Sequence, residues 1–226
     1  VGCIFFIWKV SRIKRSLPHL LCLTSDSSDF SHSEQVGILL DAGATFIQIR
    51  SKNLNCRELL SQANYASKLA VKKNAILIIN DHIGIAKASS ASGVHLGEKD
   101  ESVSDARVRL GEGMFVGATV HSLSEAKAVK ENGNCDYIGL GPFRSSETKA
   151  GFRNFLSENQ IFQIVDLLSP IPVFLIGGLK IADCNLIPKF NLHGIAVCNG
   201  LSNKTKYGGN VKSFLKEINK LNCISV

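Results

Sequence analysis

Short apolar runs alternate with longer amphipathic stretches along most of this chain. Leu20–Thr24, Thr45–Ile49, Ile76–Ile79, Gly93–Leu96, Phe115–Ala118, Tyr137–Leu140, Val173–Ile176 and Ile195–Cys198 are each four or five residues long. Continuous runs of that length predict strands buried on both faces, as in a parallel sheet. Helices are predicted between them: from His32 to Leu40, Cys56–Lys72, Ile83–Ser89, Ser102–Leu110, Ser122 to Glu131, Ser157–Leu168, Ile181–Pro188 and Val211–Lys220. Ser31-His32-Ser33-Glu34 and Ser122-Leu123-Ser124-Glu125 have the form of capping boxes, and Gly43 stops the first helix.

Strand and helix thus alternate eight times. That pattern predicts parallel pairing, and eight units in roughly 200 residues predict an α/β fold closed as a single-domain (β/α)8 TIM barrel. An open doubly wound sheet is the competing architecture, but no G-x-G-x-x-G follows the first strand. The chemistry of such a barrel lies at the C-terminal ends of its strands. Polar residues gather there: Gln48, Arg50 and Lys52; Asn80 and Asp81; His95 through Asp100; Thr119 and His121; Gly141 through Lys149; Gly177-Gly178; Asn199-Gly200.

Composition narrows the partners. The 226 residues carry 26 Lys and Arg against 19 Asp and Glu, a net charge of +7. The basic residues are scattered, dense only at Arg12-Ile13-Lys14-Arg15, and do not interleave with aromatics. Small phosphorylated partners are therefore expected, with neither nucleic acid nor membrane, and self-association is left open. Seven cysteines, an odd number with no C-x-x-C pair, sit mostly among apolar neighbours, which points to reduced thiols in a cytoplasmic setting. Val1–Trp8 is apolar, and Lys9, Arg12, Lys14 and Arg15 follow it. It is too short to span a bilayer, and its charges lie on the wrong side for a secretory signal. Residues 1–17 are expected to form a leader outside the barrel core, and residues 18–222 the barrel.

In Gln48-Ile49-Arg50-Ser51-Lys52 an extended segment puts 48, 50 and 52 on one face. A guanidinium and an ammonium so placed suit a diphosphate; a solvated loop is the plain alternative for Lys52. Asp81 and Asp100, each just past a strand end, are candidate Mg²⁺ ligands, since Mg²⁺ takes one or two carboxylates plus water and phosphate. Each could equally be a helix N-cap, Asp81 for the helix near Ile83 and Asp100 for the helix at 102. Glu98 and Glu101 flank Asp100, and spacing does not choose among them. Gly177-Gly178 and Asn199-Gly200 stand where loops seven and eight of such barrels offer backbone N–H groups to a phosphate. In the long loop after strand six, Ser146, Thr148 and Lys149 supply hydroxyls and a cation. His121 is a candidate base or a loop-orienting residue, His82 and His95 read as structural, and Cys198 as packing.

Together these pieces resemble thiamine phosphate synthase, from about Leu20 to Lys220. The resemblance rests on Q-I-R-S-K (48–52), I-I-N-D (78–81), G-V-H-L-G-E-K-D (93–100), G-A-T-V-H-S (117–122), G-L-G-P-F-R-S-S-E-T-K (139–149), I-G-G (176–178) and G-I-A-V (194–197). It implies a transferase that joins an aminopyrimidine methyl diphosphate to a thiazole phosphate and releases diphosphate. It implies that Gln48, Arg50 and Lys52 hold the pyrimidine diphosphate, that Asn80 contacts the diphosphate, and that Asp81 and Asp100 ligate Mg²⁺. Thr119 takes the place of a site serine near the reacting diphosphate. Ser146 and Thr148 are implied to bind the thiazole phosphate, Lys149 the diphosphate, and Gly178 to give the thiazole phosphate a backbone N–H.

Departures from the family pattern are Ser146 for Thr, Asn199 for a Ser that commonly helps bind the thiazole phosphate, and the segment after Lys149, which lacks the usual Gly-Leu stretch. A thiazole tautomerase relative shares the barrel and a V-H-S stretch like Val120–Ser122, and would use His121. It typically loses the Asn-Asp pair and the second Asp, which this chain keeps as Asn80, Asp81 and Asp100. A non-catalytic precursor-binding paralogue is a further alternative.

Overall fold

The structure is a computed structural model and describes residues 16–144, 155–203 and 206–222. Eight parallel strands close into one barrel in the order β1 to β8, with β8 pairing back onto β1. They are β1 (Leu20–Leu23), β2 (Phe46–Ile49), β3 (Ile76–Asn80), β4 (Gly93–Leu96), β5 (Phe115–Val120), β6 (Tyr137–Leu140), β7 (Val173–Ile176) and β8 (Gly194–Val197). The helices are α1 (His32–Asp41), α2 (Cys56–Lys72), α3 (Ile83–Ala88), α4 (Val103–Leu110), α5 (Leu123–Asn132), α6 (Glu158–Leu168), α7 (Leu186–Lys189) and α8 (Val211–Asn222). Ile181–Pro188, expected as one helix, is a 3-10 turn over Ile181–Asn185 that runs into α7.

Local chemistry explains the helix starts. Ser31 Oγ accepts from the Glu34 N–H while Glu34 returns to the Ser31 N–H at 2.8 Å, the full box. Asn55 does the same for α2 with Glu58. At α5 only half of the box forms: Ser122 Oγ accepts from Glu125 N–H at 3.2 Å, but the Glu125 carboxylate accepts the N–H of His121 instead, at 2.9 Å. In α2, Leu59, Ala63, Ala66 and Ala70 fall on one buried stripe at spacings of four and three, which lays the helix on the barrel wall.

Two cores result. One lies between barrel and helices and takes the outward residues of each strand, such as Ile47, Ile79, Val94 and Val116. The other fills the barrel: Leu21, Phe46, Ile78, Phe115, Tyr137, Phe174 and Ala196. Phe46, Tyr137 and Phe174 meet edge to face with ring centres 5.5 to 5.8 Å apart. Leu17, counted with the leader on sequence grounds, is 4% exposed and belongs to this inner cluster; its carbonyl accepts from His193 Nε2 at 2.7 Å. The rest of the leader, residues 1–15, lies outside the described residues.

Strand period decides what stands above that apolar floor. Two residues up from Phe46 is Gln48; from Ile78, Asn80; from Tyr137, Gly139; from Gly117, Thr119. The upper layer of the barrel is therefore polar, and it opens at the C-terminal ends of the strands. Among the described residues, no helix is long and apolar enough to cross a membrane.

Candidate functional site

The mouth is built on β1 to β5. After β3 the backbone of Asp81 turns through φ 67, in the left-handed region that Asp tolerates better than most residues. The Asp81 N–H donates to the His95 carbonyl at 2.8 Å, which fastens this turn to β4. The Asp81 carboxylate pairs with the Lys52 ammonium and neighbours the carboxyl of Asp100. Asp100 also accepts the Gly97 N–H at 2.7 Å. Neither acid is a helix cap: His82 holds the N-cap position of α3 without a side-chain bond, and Ser102 caps α4.

Burial raises Asp100 above the usual carboxylate range, and the neighbouring Asp81 adds to that. Burial also opposes ionisation of Asp81, but its neighbours Asp100 and Lys52 outweigh it and hold Asp81 below that range. The two acids therefore titrate as a pair. Hard oxygen donors held together in this way suit a divalent cation. Among the described residues, no group of three or more His, Cys, Asp or Glu could hold a metal ion, so any cation would rest on this pair with water and substrate oxygens.

The segment after β2 does not keep strict alternation. Gln48 is buried in the barrel beside Tyr137. The strand ends at Ile49, and the two cations then diverge. Lys52 reaches Asp81, whereas Arg50 lies near Cys198: burial pushes that thiol up while the guanidinium pulls the other way. Cys198 itself packs at the barrel interior and donates to the Thr24 carbonyl at 3.7 Å.

Asp26 holds this segment in place, a role that its sequence context, a polar end to β1, did not reveal. Its Oδ1 accepts from Ser51 Oγ at 2.6 Å and from His32 Nε2 at 3.0 Å, and its Oδ2 accepts the Lys52 N–H at 2.8 Å. His32 Nδ1 in turn lies 2.7 Å from Thr24 Oγ1, which accepts the Arg50 N–H at 3.0 Å. The loop that carries Arg50 and Lys52 is therefore tied to β1 at three points.

Thr119 and His95 also meet at the mouth, with Thr119 Oγ1 2.9 Å from His95 Nε2. A cavity of about 430 Å³ runs between α4 and α5, lined by Val103, Ala128 and Val129, and reaches Asp100 and Thr119. Asn80, the last residue of β3, is buried beneath the same mouth. His121 bonds the Gly141 carbonyl through Nδ1 and Glu125 through its backbone N–H, the contacts of a loop-orienting residue.

Across the mouth, Gly177 and Gly178 follow β7 with φ 112 and 60. A Cβ on Gly177 would lie 2.7 Å from the Phe143 nitrogen, so this glycine admits the loop after β6. Asn199 opens a 3-10 turn, Asn199–Leu201, whose carbonyl at Gly200 accepts from Asn210 Nδ2 at 3.0 Å. Ser146, Thr148 and Lys149 lie outside the described residues. Just before them, Arg144 makes a two-point pair with Asp183, both bonds 2.7 Å.

A model of the thiamine monophosphate synthase family matches residues 20–201. The chain belongs to this family. A thiamine-phosphate synthase of Bacteroides fragilis is 32% identical over 183 residues, covering 79% of this chain and 89% of the relative. One from Flavobacterium johnsoniae is 36% identical over 162 residues, covering 70% and 76%. Among solved structures, a thiamine phosphate pyrophosphorylase from Pyrococcus furiosus superposes with a TM-score of 0.79 at 26% identity, covering 89% of this chain and 96% of its own. The family's matched span runs from the first strand to the turn after β8, so it contains every candidate residue at the mouth.

Proposed function

We propose that this member of the family is a thiamine-phosphate synthase, a transferase joining an aminopyrimidine methyl diphosphate to a thiazole phosphate with release of diphosphate. The observation that supports it most directly is the neighbouring carboxyl groups of Asp81 and Asp100 beside Lys52, at the rim of a barrel whose upper layer is Gln48, Asn80 and Thr119. Two carboxylates next to an ammonium suit a site that receives a diphosphate together with a divalent cation.

In this proposal Gln48, Arg50, Lys52 and Asn80 hold the pyrimidine diphosphate, and Lys149 adds a cation from loop six. Ser146, Thr148, Asn199 and the N–H of Gly178 take the thiazole phosphate. Asp81 and Asp100 would hold Mg²⁺, which when bound supplies positive charge to the departing diphosphate. The C–O bond to diphosphate breaks with its electron pair leaving on oxygen, and the electron-rich pyrimidine carries the resulting cation at its methylene. The lone pair of the thiazole nitrogen then forms the new C–N bond. Little proton transfer is needed, so the residues act by positioning and by neutralising developing charge. The buried free thiols at Cys22, Cys135 and Cys184 support a reducing, cytoplasmic setting.

The test is incubation of the purified protein with both phosphorylated precursors, with and without Mg²⁺, followed by assay for thiamine phosphate. Mg²⁺-dependent product is expected. No product under either condition overturns the proposal, and conversion of the thiazole tautomer alone would favour the tautomerase alternative.

A further inference from the structure

Inside the barrel, three polar side chains form an unbroken line across β6, β4 and β5, with Gln48 of β2 buried beside Tyr137. Tyr137 Oη lies 3.2 Å from His95 Nδ1, and His95 Nε2 lies 2.9 Å from Thr119 Oγ1. Tyr137 is fully buried and His95 is 8% exposed. Their rings are stacked at 5.4 Å with a tilt of 33°.

The barrel wall is hollowed to admit them. A Cβ on Gly117 would lie 2.3 Å from Tyr137 Cζ and 2.6 Å from His95 Nδ1. A Cβ on Gly139 would lie 3.2 Å from His95 Cε1. Glycine inside a strand weakens it and commonly marks a close approach. Here two such positions, on adjacent strands, make room for one imidazole–phenol pair.

A neutral imidazole has one N–H and one lone pair, so its bonds to Tyr137 and Thr119 run in opposite senses. The line therefore has one of two polarities, and its two ends are coupled. We propose that His95 and Tyr137 are positioning residues forming a directional relay that holds Thr119 as a hydrogen-bond donor toward the substrate diphosphate. This rests on the synthase proposal above. Diphosphate oxygens only accept, so Thr119 must spend its one proton on them and receive its own bond from His95 Nε2–H. His95 Nδ1 is then bare and accepts from the Tyr137 O–H. The line so oriented presents a donor to the anion. The opposite polarity would present an acceptor to the diphosphate. Burial pushes the Tyr137 phenol well above its usual value, so it stays protonated and able to donate.

The first measurement is the ¹⁵N spectrum of histidine-labelled, ligand-free protein at pH 8, with His95 assigned from its loss in His95→Gln. The Nε2–H tautomer is expected, and Tyr137→Phe should erase the preference while keeping the fold. The second measurement is kinetic. Gln can place an amide N–H near the position of Nε2, whereas Asn reaches only to Nδ1. His95→Gln should retain kcat within about tenfold, and His95→Asn should lose roughly 100-fold, the order expected for losing one oriented donor. An Nδ1–H tautomer or an imidazolium in the free protein overturns the relay whatever the activity, and so does equal loss of kcat in the two variants. If wild type makes no thiamine phosphate while His95 is the Nε2–H tautomer, the synthase proposal fails, and with it the diphosphate as the target of Thr119.

Discussion

Asp26 accepts from Ser51 Oγ at 2.6 Å, and through that bond the end of β1 holds the loop that follows β2. The same carboxylate takes the Lys52 N–H at 2.8 Å and His32 Nε2 at 3.0 Å. Burial alone would raise Asp26, but Ser51, the Lys52 N–H and His32 together keep it below the usual carboxylate range. Asp26→Ala should therefore loosen Arg50 and Lys52 without touching substrate. Loss of hydrogen bonds to a charged group is worth about 2 kcal/mol. For a chain of this length that is a fall in Tm of roughly 4–8 °C. A rise in KM for the pyrimidine diphosphate, larger than the fall in kcat, is the kinetic outcome expected; an unchanged KM would separate Asp26 from the site.

Asp81 and Asp100 give a prediction about the cation. Removing one of the two carboxylates halves the negative charge that faces Mg²⁺ and weakens its hold. Asp81→Asn should raise the Mg²⁺ concentration for half-maximal activity by at least tenfold and lower kcat by roughly 100-fold, about 2.7 kcal/mol of charge stabilisation. Titrating activity against Mg²⁺ checks it. Product that persists undiminished in Asp81→Ala would remove the metal assignment.

Gly177 tests the contact between the turns after β6 and β7. Its φ of 112 is strained for any L side chain, and a Cβ would lie 2.7 Å from the Phe143 nitrogen. Gly177→Ala should cost about 1–3 kcal/mol from strain alone. A drop of several degrees in Tm is expected by calorimetry. Gly133, with φ 64 and its nearest atom at 3.9 Å, is the control in which clash is absent and only strain acts.

The pair Arg144–Asp183 carries a pH dependence of stability. Burial raises the Asp183 carboxyl, but the two bonds from Arg144 and the Lys180 N–H outweigh it and hold the folded value below the ordinary one. A lowered folded pKa means stability that is fully present above the unfolded value, about 3.9, and lost as pH falls through the folded value. Asp183→Asn should thus lower Tm at pH 7 by the equivalent of about 1–2 kcal/mol, with an effect that shrinks as pH falls below the ordinary carboxylate value. Thermal melts of wild type and variant across pH 3–7 decide it; a constant difference across that range would exclude the ionic contribution.

The barrel was legible because its cause is local. Buried parallel strands must be continuously apolar, and Gly93–Leu96, Tyr137–Leu140 and Val173–Ile176 occur where the runs were predicted, to the residue. Capping chemistry is equally local, so Ser31 starts α1 with the full box expected of it, and Ser122 caps α5 with half of one. The candidate acids at the mouth were legible for the same reason: a polar pair ending an apolar strand has few other places to go. His95 read as structural, since a lone histidine in a strand carries no chemical signal of its own.

Contacts between strands far apart in sequence were decided only on closure of the barrel. Spacing left Asp81 and Asp100 open as helix caps; only the positive φ at Asp81 and the proximity of β3 to β4 make them a pair. Alternation placed Arg50 and Lys52 on one face, but the strand ends at Ile49, so Lys52 turns to Asp81 while Arg50 lies by Cys198. The line from Tyr137 through His95 to Thr119 joins three strands that no sequence period connects. The sequence by itself determined which residues are apolar enough to form the barrel and which polar residues stand at its rim, because burial and strand period act over a few residues. Which of those polar groups share a hydrogen bond or a charge depends on distances set across the closed sheet, and those exist only in the tertiary structure.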